Sequence, residues 1–301
     1  MTSPLIRSPH WVALGRPPAA RRAVVHRIHD KDIAVWTTPD GRVCAADNVC
    51  GHRGASLVDG GTVTDAGALR CCYHGRAVFG AGHRVVVDHD FAWYAWGDAD
   101  ALGDVPTCPE FSMAGYRTFS YAKVIECNPV LMAENTLDWA HLGGSVHRVK
   151  FVEGDPAVTV LPPRGLSGMA TYTYQTAGAY DLTIENEFWA PFTTCLRFNF
   201  RHIGTGELLP PLLLWFSLEP SAQNKTTLHL RVARGLATHP MFDWVFRLVD
   251  ELPLNEDAWL VQRMYPEAWS SNALTMDDAF VATYRDAMRA AFPDLLAAYV
   301  Q

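Results

Sequence analysis

Two short stretches of this chain each set a thiol beside an imidazole. The first reads Cys50-Gly51-His52-Arg53-Gly54-Ala55 and the second Cys71-Cys72-Tyr73-His74-Gly75, with residues 53–70 between His52 and Cys71. Structural zinc modules usually pair Cys with Cys two to four residues apart. Here each loop carries a mixed pair, which suits a two-iron cluster with both Cys on one iron and both His on the other. Zinc remains the alternative chemistry at this point, and chance spacing a third reading. Gly51, Gly54 and Gly75 let the loops fold tightly and aim backbone N–H groups at the sulfurs. Cys72 reads as a bystander, because Cys71 already keeps the two-residue spacing to His74.

A second set of candidate ligands lies downstream, in Glu134-Asn135-Thr136-Leu137-Asp138-Trp139-Ala140-His141 followed by His147. Residues 129–142 have helical spacing, so Asp138 and His141, three apart, share a face. His141 and His147 are six apart, about 240° around a continuous helix, and converge only if the helix ends. Gly143-Gly144 supplies that break. The downstream candidate carboxylate is Asp257, beside Glu256, in Pro253-Leu254-Asn255-Glu256-Asp257. Taken alone, each reads as a first-turn acid favoured by a helix dipole. Two His and one carboxylate on a face, with open positions opposite, is the arrangement of non-heme Fe(II) oxygenases.

Together the motifs resemble the Rieske non-heme iron oxygenases, whose pattern is Cys-x-His-Arg-Gly-Ala, a gap, then Cys-x-Tyr-His-Gly-Trp. Cys72 stands where that family usually has Pro, and Arg76 where it has Trp; neither is a ligand position. The extra Cys residues of respiratory-complex Rieske proteins would fall at Ala55 and Tyr73, which disfavours that class. Asn135, Asp138, His141 and His147 match the family's second signature, and Glu256-Asp257 with Gln262 matches its third. The resemblance implies that Cys50, His52, Cys71 and His74 hold a [2Fe–2S] cluster and that His141, His147 and Asp257 hold Fe(II). It assigns Asp138 to a bridge between His141 and His74 of the neighbouring subunit. It further implies O₂ as co-substrate, a homotrimer, and electrons from NAD(P)H through a flavin reductase, often with a ferredoxin. The chain has no Gly-x-Gly-x-x-Gly fingerprint, so it is not expected to hold the nicotinamide itself. The implied fold class is α+β: a small antiparallel β Rieske domain and a catalytic domain with an antiparallel sheet flanked by helices, of helix-grip type.

The elements that must position these residues are readable in outline. Strand-like runs at 24–28, 33–36, 43–45, 85–87 and 91–96, with Pro39-Asp40-Gly41 as a hairpin signal, point to a small antiparallel unit. Gly103-Asp104-Val105-Pro106 reads as the exit linker, giving expected domains of 1–110 and 111–301. After a strand at 116–125 and the helix at 129–142, six segments alternate well enough to form one sheet: 158–161, 169–175, 180–189, 193–203, 208–218 and 226–232. Helices are expected over 241–265, interrupted at Pro253, and over 275–292.

The bulk numbers narrow the function classes. A balance of 25 basic against 32 acidic residues, net −7, argues against nucleic acid as a partner. Seven scattered Cys suggest a reducing cytoplasm rather than a disulfide framework. Residues 1–15 lack an apolar core of signal-peptide length, and the most apolar run, 208–216, is interrupted by Pro210-Pro211 and too short to span a bilayer. A cytoplasmic protein with no membrane association is therefore expected. His10, His26, His29, His83, His89, His202, His229 and His239 have no partner at ligand spacing and read as ordinary polar residues.

The expected function is a terminal oxygenase that hydroxylates, or O- or N-demethylates, a mostly apolar aromatic small molecule. Phe188, Trp189, Phe192, Phe198, Phe200, Trp215 and Phe216 would supply apolar surface, more of it core than pocket, and Asn199 and Arg201 share one strand face. A compact chain with no segment announcing a β subunit favours a homotrimeric monooxygenase over a ring cis-dihydroxylating dioxygenase. The rival from another class is a Rieske electron-transfer protein with a non-catalytic second domain, which lacks the mononuclear iron.

Overall fold

The computed structural model describes residues 6–80, 82–143, 146–147, 156–174, 179–270, 274 and 278–300. Met1–Leu5, Gly144, Gln175 and Thr275, at which the sequence pattern set limits of segments, lie outside the described residues. The chain folds as two compact units. One comprises Ile6–Thr107 with Glu219–Gln223, and the other Cys108–Leu218 with Asn224–Gln301.

The first unit is made of strands β1 (His10–Ala13), β2 (Ala23–Ile28), β3 (Lys31–Thr37), β4 (Val43–Asp47), β5 (Thr62–Val63), β6 (Leu69–Arg70), β7 (Ala77–Val78), β8 (Val85–Asp88) and β9 (Phe91–Trp96). They form three antiparallel sheets, ordered β1-β9-β8, β2-β3-β4 and β5-β6-β7. Strand β3 is apolar on both faces because both are covered. Ile33 and Val35 pack with Val12, Leu14, Ala45 and Tyr94, while Ala34 and Trp36 pack with Leu57, Leu69, Cys50 and Cys71. The second cluster therefore ties the cysteines of both metal loops to the core. Trp36 completes it by donating its indole N–H to the Gly67 carbonyl at 3.0 Å.

The second unit is built on one seven-stranded antiparallel sheet. Its strands are β10 (Arg117–Ile125), β11 (Ala157–Val160), β12 (Ser167–Tyr174), β13 (Tyr180–Trp189), β14 (Thr193–His202), β15 (Leu212–Ala222) and β16 (Lys225–Arg234). The order is β10-β16-β15-β14-β13-β12-β11. Strands β12 and β13 alternate strictly, burying Ala170, Tyr172 and Tyr174 on one and Leu182, Ile184, Asn186 and Phe188 on the other. The sheet is accompanied by α1 (Pro129–Asn135), α2 (Asp243–Val261), α3 (Ala279–Ala291) and α4 (Pro293–Tyr299). Among the described residues, no helix is long and apolar enough to cross a membrane.

Three helix limits depart from the pattern-based expectation. Helix α1 stops at Asn135 instead of running to 142; Thr136 turns its hydroxyl back onto the Ala133 carbonyl at 2.7 Å. Helix α2 passes through Pro253 without interruption. Proline removes one backbone bond, but the buried stripe of Asp250, Leu254, Ala258 and Val261 spans both sides of it and holds the helix together. A separate helix α4 follows α3, because Phe292 precedes Pro293, is driven to φ −131° and ψ 47°, and leaves the proline as the first residue of a new helix.

Helix α1 is anchored at both ends. The Asn128 side chain accepts from the N–H groups of Val130 and Leu131 and donates to the Tyr299 carbonyl at 2.6 Å, linking α1 to α4. At the other end Glu134 receives two bonds from Arg285 of α3, at 2.7 and 2.6 Å; the Arg285 side chain is buried and that of Glu134 is 12% exposed. Removing one partner leaves a buried charge unpaired, so Arg285→Ala is expected to destabilise the fold by about 3 kcal/mol. Urea unfolding measures this, and a loss under about 1 kcal/mol would place the pair with ordinary surface salt bridges.

Candidate metal centres and cavity

The two Cys/His loops close in the same way. In the first, the Cys50 N–H bonds the Ala55 carbonyl at 2.7 Å and the Gly54 N–H bonds the Cys50 carbonyl at 2.9 Å. In the second, Cys71 bonds Arg76 at 2.9 Å and Gly75 bonds Cys71 at 3.0 Å. Gly54 and Gly75 occupy matching positions with φ of 72° and 70°, a region that favours glycine. Gly51, also expected to be a turn glycine, has no positive φ. The base of the first loop is set by Asn48, which the motif did not single out; its side-chain oxygen accepts from the N–H groups of Leu57 and Val58, each at 3.0 Å.

These loops sort their ligands by depth. Cys50 and Cys71 are buried and His52 and His74 exposed. The Nδ1 atoms of the two His rings lie 3.2 Å apart, with the rings edge to face. The backbone N–H of Tyr73 holds the Cys71 thiol below its ordinary pKa; burial opposes it, and Cys50 and the His74 N–H reinforce it. Two inner sulfurs and two outer imidazole nitrogens at one tip fit a cluster with a Cys-bound and a His-bound iron. Cys72 is exposed and directs its Sγ to the Asp59 carbonyl at 3.2 Å, apart from the ligand set.

In the second unit, His141, His147 and Asp257 offer ligand atoms that all lie within 4.8 Å of one another. Asp257 Oδ1 is 3.3 Å from His141 Nε2 and 3.6 Å from His147 Nε2. His147 Nε2 and Asp257 Oδ1 are buried without a hydrogen-bond partner. Orphaned donors of this kind, turned toward one point, fit a cation bound between them. Of the opposite ring nitrogens, His147 Nδ1 meets Glu256 Oε2 at 3.1 Å, whereas His141 Nδ1 lies 3.6 Å from Asp138 Oδ2, within ion-pair but not hydrogen-bond distance. Burial opposes charge on His141, but Asp138 and Asp257 outweigh it and raise its pKa to about 9. The site thus favours positive charge.

Convergence depends on a segment that is not helical. Between α1 and the short 3₁₀ turn Ala140–Gly143, the carbonyls of residues 136, 137 and 139 lack α-helical partners; locally the Trp139 indole donates to Thr136 at 2.9 Å and the Leu142 N–H to Trp139 at 3.3 Å. The sheet supplies the remaining donors. Asn186 donates to Thr136 at 3.1 Å, Tyr172 to Leu137 at 2.8 Å, and Tyr174 to Trp139. The signal in the sequence was a polar Asn186 on the otherwise apolar face of β13. Asp257 and Glu256 lie near the C-terminal end of α2, which removes the first-turn explanation for both acids.

A cavity of about 270 Å³ opens beside the three donors. Leu182 of β13, Phe198 and Phe200 of β14, and Leu212, Leu214 and Phe216 of β15 line it from the sheet, with Met132, Trp139 and Leu142 at one end. Asn199 and Arg201 alternate with Phe198 and Phe200 on β14 and do not line it; the apolar face of the strand does. Phe188 instead packs on Phe280 and Tyr284, and Trp189 stacks on Trp215. Helix α2 contributes Asp250, Pro253, Leu254 and Asp257, spaced i, i+3, i+4 and i+7 on one face.

Residues 10–89 match the Rieske [2Fe-2S] domain, and residues 125–292 match the vanillate O-demethylase oxygenase C-terminal domain. The chain is 30% identical over 165 residues to the oxygenase component of dicamba O-demethylase from Stenotrophomonas maltophilia, a stretch covering 48% of each protein. It is 31% identical over 150 residues to the phthalate 4,5-dioxygenase oxygenase subunit of Pseudomonas putida, covering 42% of this chain and 33% of that one. In these alignments the chain spans about half the length of the first relative and a third of the second. A crystal structure of dicamba monooxygenase bound to dicamba has the same fold, with a TM-score of 0.82 at 21% identity over 97% of this chain and 98% of that one.

Glu256 has a specific expected effect. By accepting from His147 Nδ1 it holds the ring with Nε2 toward Asp257. Loss of such an orienting partner typically weakens metal binding about 10- to 100-fold. Titration with Co(II) should show that loss for Glu256→Ala and a smaller one for Glu256→Gln. Equal affinity in all three proteins would remove Glu256 from the site.

Proposed function

Since the chain belongs to the Rieske oxygenases that carry the vanillate O-demethylase oxygenase C-terminal domain, we propose that it is the terminal oxygenase of an electron-transfer system that O- or N-demethylates, or hydroxylates, an aromatic small molecule. The observation that carries this reading is the meeting of His141, His147 and Asp257 on the wall of an apolar cavity. Relatives named for dicamba O-demethylase and phthalate 4,5-dioxygenase support an aromatic substrate. On this reading the N-terminal domain relays electrons and the C-terminal domain holds the substrate.

Cys50, His52, Cys71 and His74 would hold the [2Fe–2S] cluster, and His141, His147 and Asp257 the mononuclear Fe(II). When bound, these groups supply electrons one at a time and a site at which O₂ is reduced. The chain's own residues prepare that chemistry. Glu256 is hydrogen-bonded to His147 Nδ1, favouring the tautomer that leaves its Nε2 lone pair free, and Asp138 sits 3.6 Å from His141 Nδ1 on the corresponding side. Phe198, Phe200, Phe216 and Trp139 exclude water and offer flat apolar surface to an aromatic ring. For O-demethylation the balance is Ar–OCH₃ + O₂ + 2e⁻ + 2H⁺ giving Ar–OH, formaldehyde and water. The electrons come from NAD(P)H through a separate reductase.

Purified protein should contain three Fe per chain, and His141→Ala or His147→Ala two, with the Rieske EPR signal kept. Cys71→Ser should lose that signal. With a surrogate flavin reductase, NADH and a panel of methoxyarenes, formaldehyde should appear in step with phenol. Two Fe per chain in the unmodified protein would instead support an electron carrier, and a diol without formaldehyde would support ring dihydroxylation.

Asp138 is assigned to a bridge between His141 and His74 of the partner subunit within a homotrimer. A carboxylate accepts an N–H from each imidazole, whereas an amide in its place also presents a donor. Asp138→Asn should therefore keep the cluster colour and most of the mononuclear iron while slowing oxidation of the reduced cluster by O₂ and substrate in a single turnover. Unchanged cluster oxidation would defeat the bridge.

A further inference from the structure

Helix α2 brings one acid to the cavity that neither metal centre uses. Asp250 lies two helical turns before Asp257, lines the cavity and is 8% exposed. Its Oδ2 is buried without a hydrogen-bond partner. The surrounding wall is mostly apolar, its other polar lining residues being Asn135, Thr136, His141, His147 and Asp257, and among the described residues lining the cavity there is no Lys or Arg. The cation next along the helix, Arg247, is held by Glu251 at 2.7 Å and does not line the cavity. A buried carboxyl oxygen without a partner opposes folding, and a Leu or Met would fill the position without that cost. A ligand that pairs with the acid explains its presence.

We propose that Asp250 is a specificity-determining residue, whose carboxyl group hydrogen-bonds an uncharged acceptor such as a carbonyl or ether oxygen on the aromatic substrate and excludes substrates that carry a carboxylate at that place. This assignment rests on the oxygenase reading for the word substrate, but the binding preference stands on the cavity alone. Burial, reinforced by neighbouring Glu251, raises the pKa of Asp250 to about 8, so at neutral pH the group is mainly a neutral acid with an O–H to donate. A carboxylate placed against it would meet no Lys or Arg from the described lining, His141 being turned to Asp257 and Asp138, and an ionised Asp250 would repel it. One donated bond in a cavity sheltered from water is enough to separate two ligands of the same shape about tenfold.

Two near-isosteric probes test this without turnover: 4-methoxyacetophenone and 4-methoxybenzoate, titrated into the purified protein by calorimetry at pH 6.5. The ketone should bind at least about tenfold more tightly than the acid. Asp250→Asn keeps both the size and a donor and should retain ketone affinity within about threefold, whereas Asp250→Leu should lose about tenfold. The assignment is overturned if the benzoate binds as well as the ketone, if Asp250→Leu leaves ketone affinity unchanged, or if the ketone fails to bind at millimolar concentration. Discrimination between the probes without product formation would leave Asp250 in place and count against the oxygenase reading instead.

Discussion

The carbonyls of residues 136, 137 and 139 are the constraint on which the second unit depends. A helix continued from α1 would satisfy them internally but would send His141 and His147 to different sides. Ending the helix frees those oxygens, and a buried carbonyl without a donor costs about as much as a lost hydrogen bond. Asn186, Tyr172 and Tyr174 take part of that load from two adjacent strands of the sheet, beside the Trp139 indole on the carbonyl of residue 136 and the Leu142 N–H on that of residue 139. The sheet therefore acts as a clamp on the segment that leads to His141. The Glu134–Arg285 pair and the Asn128 cap serve the same end from the helical side, because they set where α1 begins and stops.

Helix α2 faces this clamp and combines three tasks on one surface. Its i, i+3, i+4, i+7 stripe supplies cavity wall, a candidate ligand and Asp250, whose Oδ2 has no partner. Glu256, one residue from Asp257, reaches His147 from the same helix. A rigid helix keeps Asp257 and Glu256 in fixed relation, so the group that would bind the metal and the group that orients its neighbour move together. That rigidity makes the unbroken passage through Pro253 consequential, since a kink there would separate Asp250 from Asp257.

The first unit reaches a similar end by a different route. Two loops of nearly the same hydrogen-bond pattern, each with a left-handed glycine at its fourth step after the cysteine, present matching Cys and His pairs. Their cysteines join the buried cluster around Trp36 and Leu69, while the imidazoles stay at the surface. Burial of the sulfurs and exposure of the rings follow from the loops being anchored at their bases, with Asn48 fixing one of them.

The amino-acid sequence determined the types and spacing of Cys50, His52, Cys71 and His74, the strand periodicity of both units, and the order of elements, because these are local properties of a backbone with period 2 or 3.6. It also carried the separate signals for His141, His147 and Asp257. Their meeting was decided by tertiary structure, since Asp257 is more than a hundred residues from either histidine and no local period reaches that far. The same holds for Glu256, which looks like any helix acid until His147 is found against it, and for Phe198 and Phe200, whose face of β14 becomes cavity only when α2 is laid opposite. Local rules failed where packing was stronger: Pro253 should interrupt a helix, yet the buried stripe that crosses it keeps the helix whole. Residues 136–139 should continue one, yet side-chain donors from the sheet offer their carbonyls a better alternative.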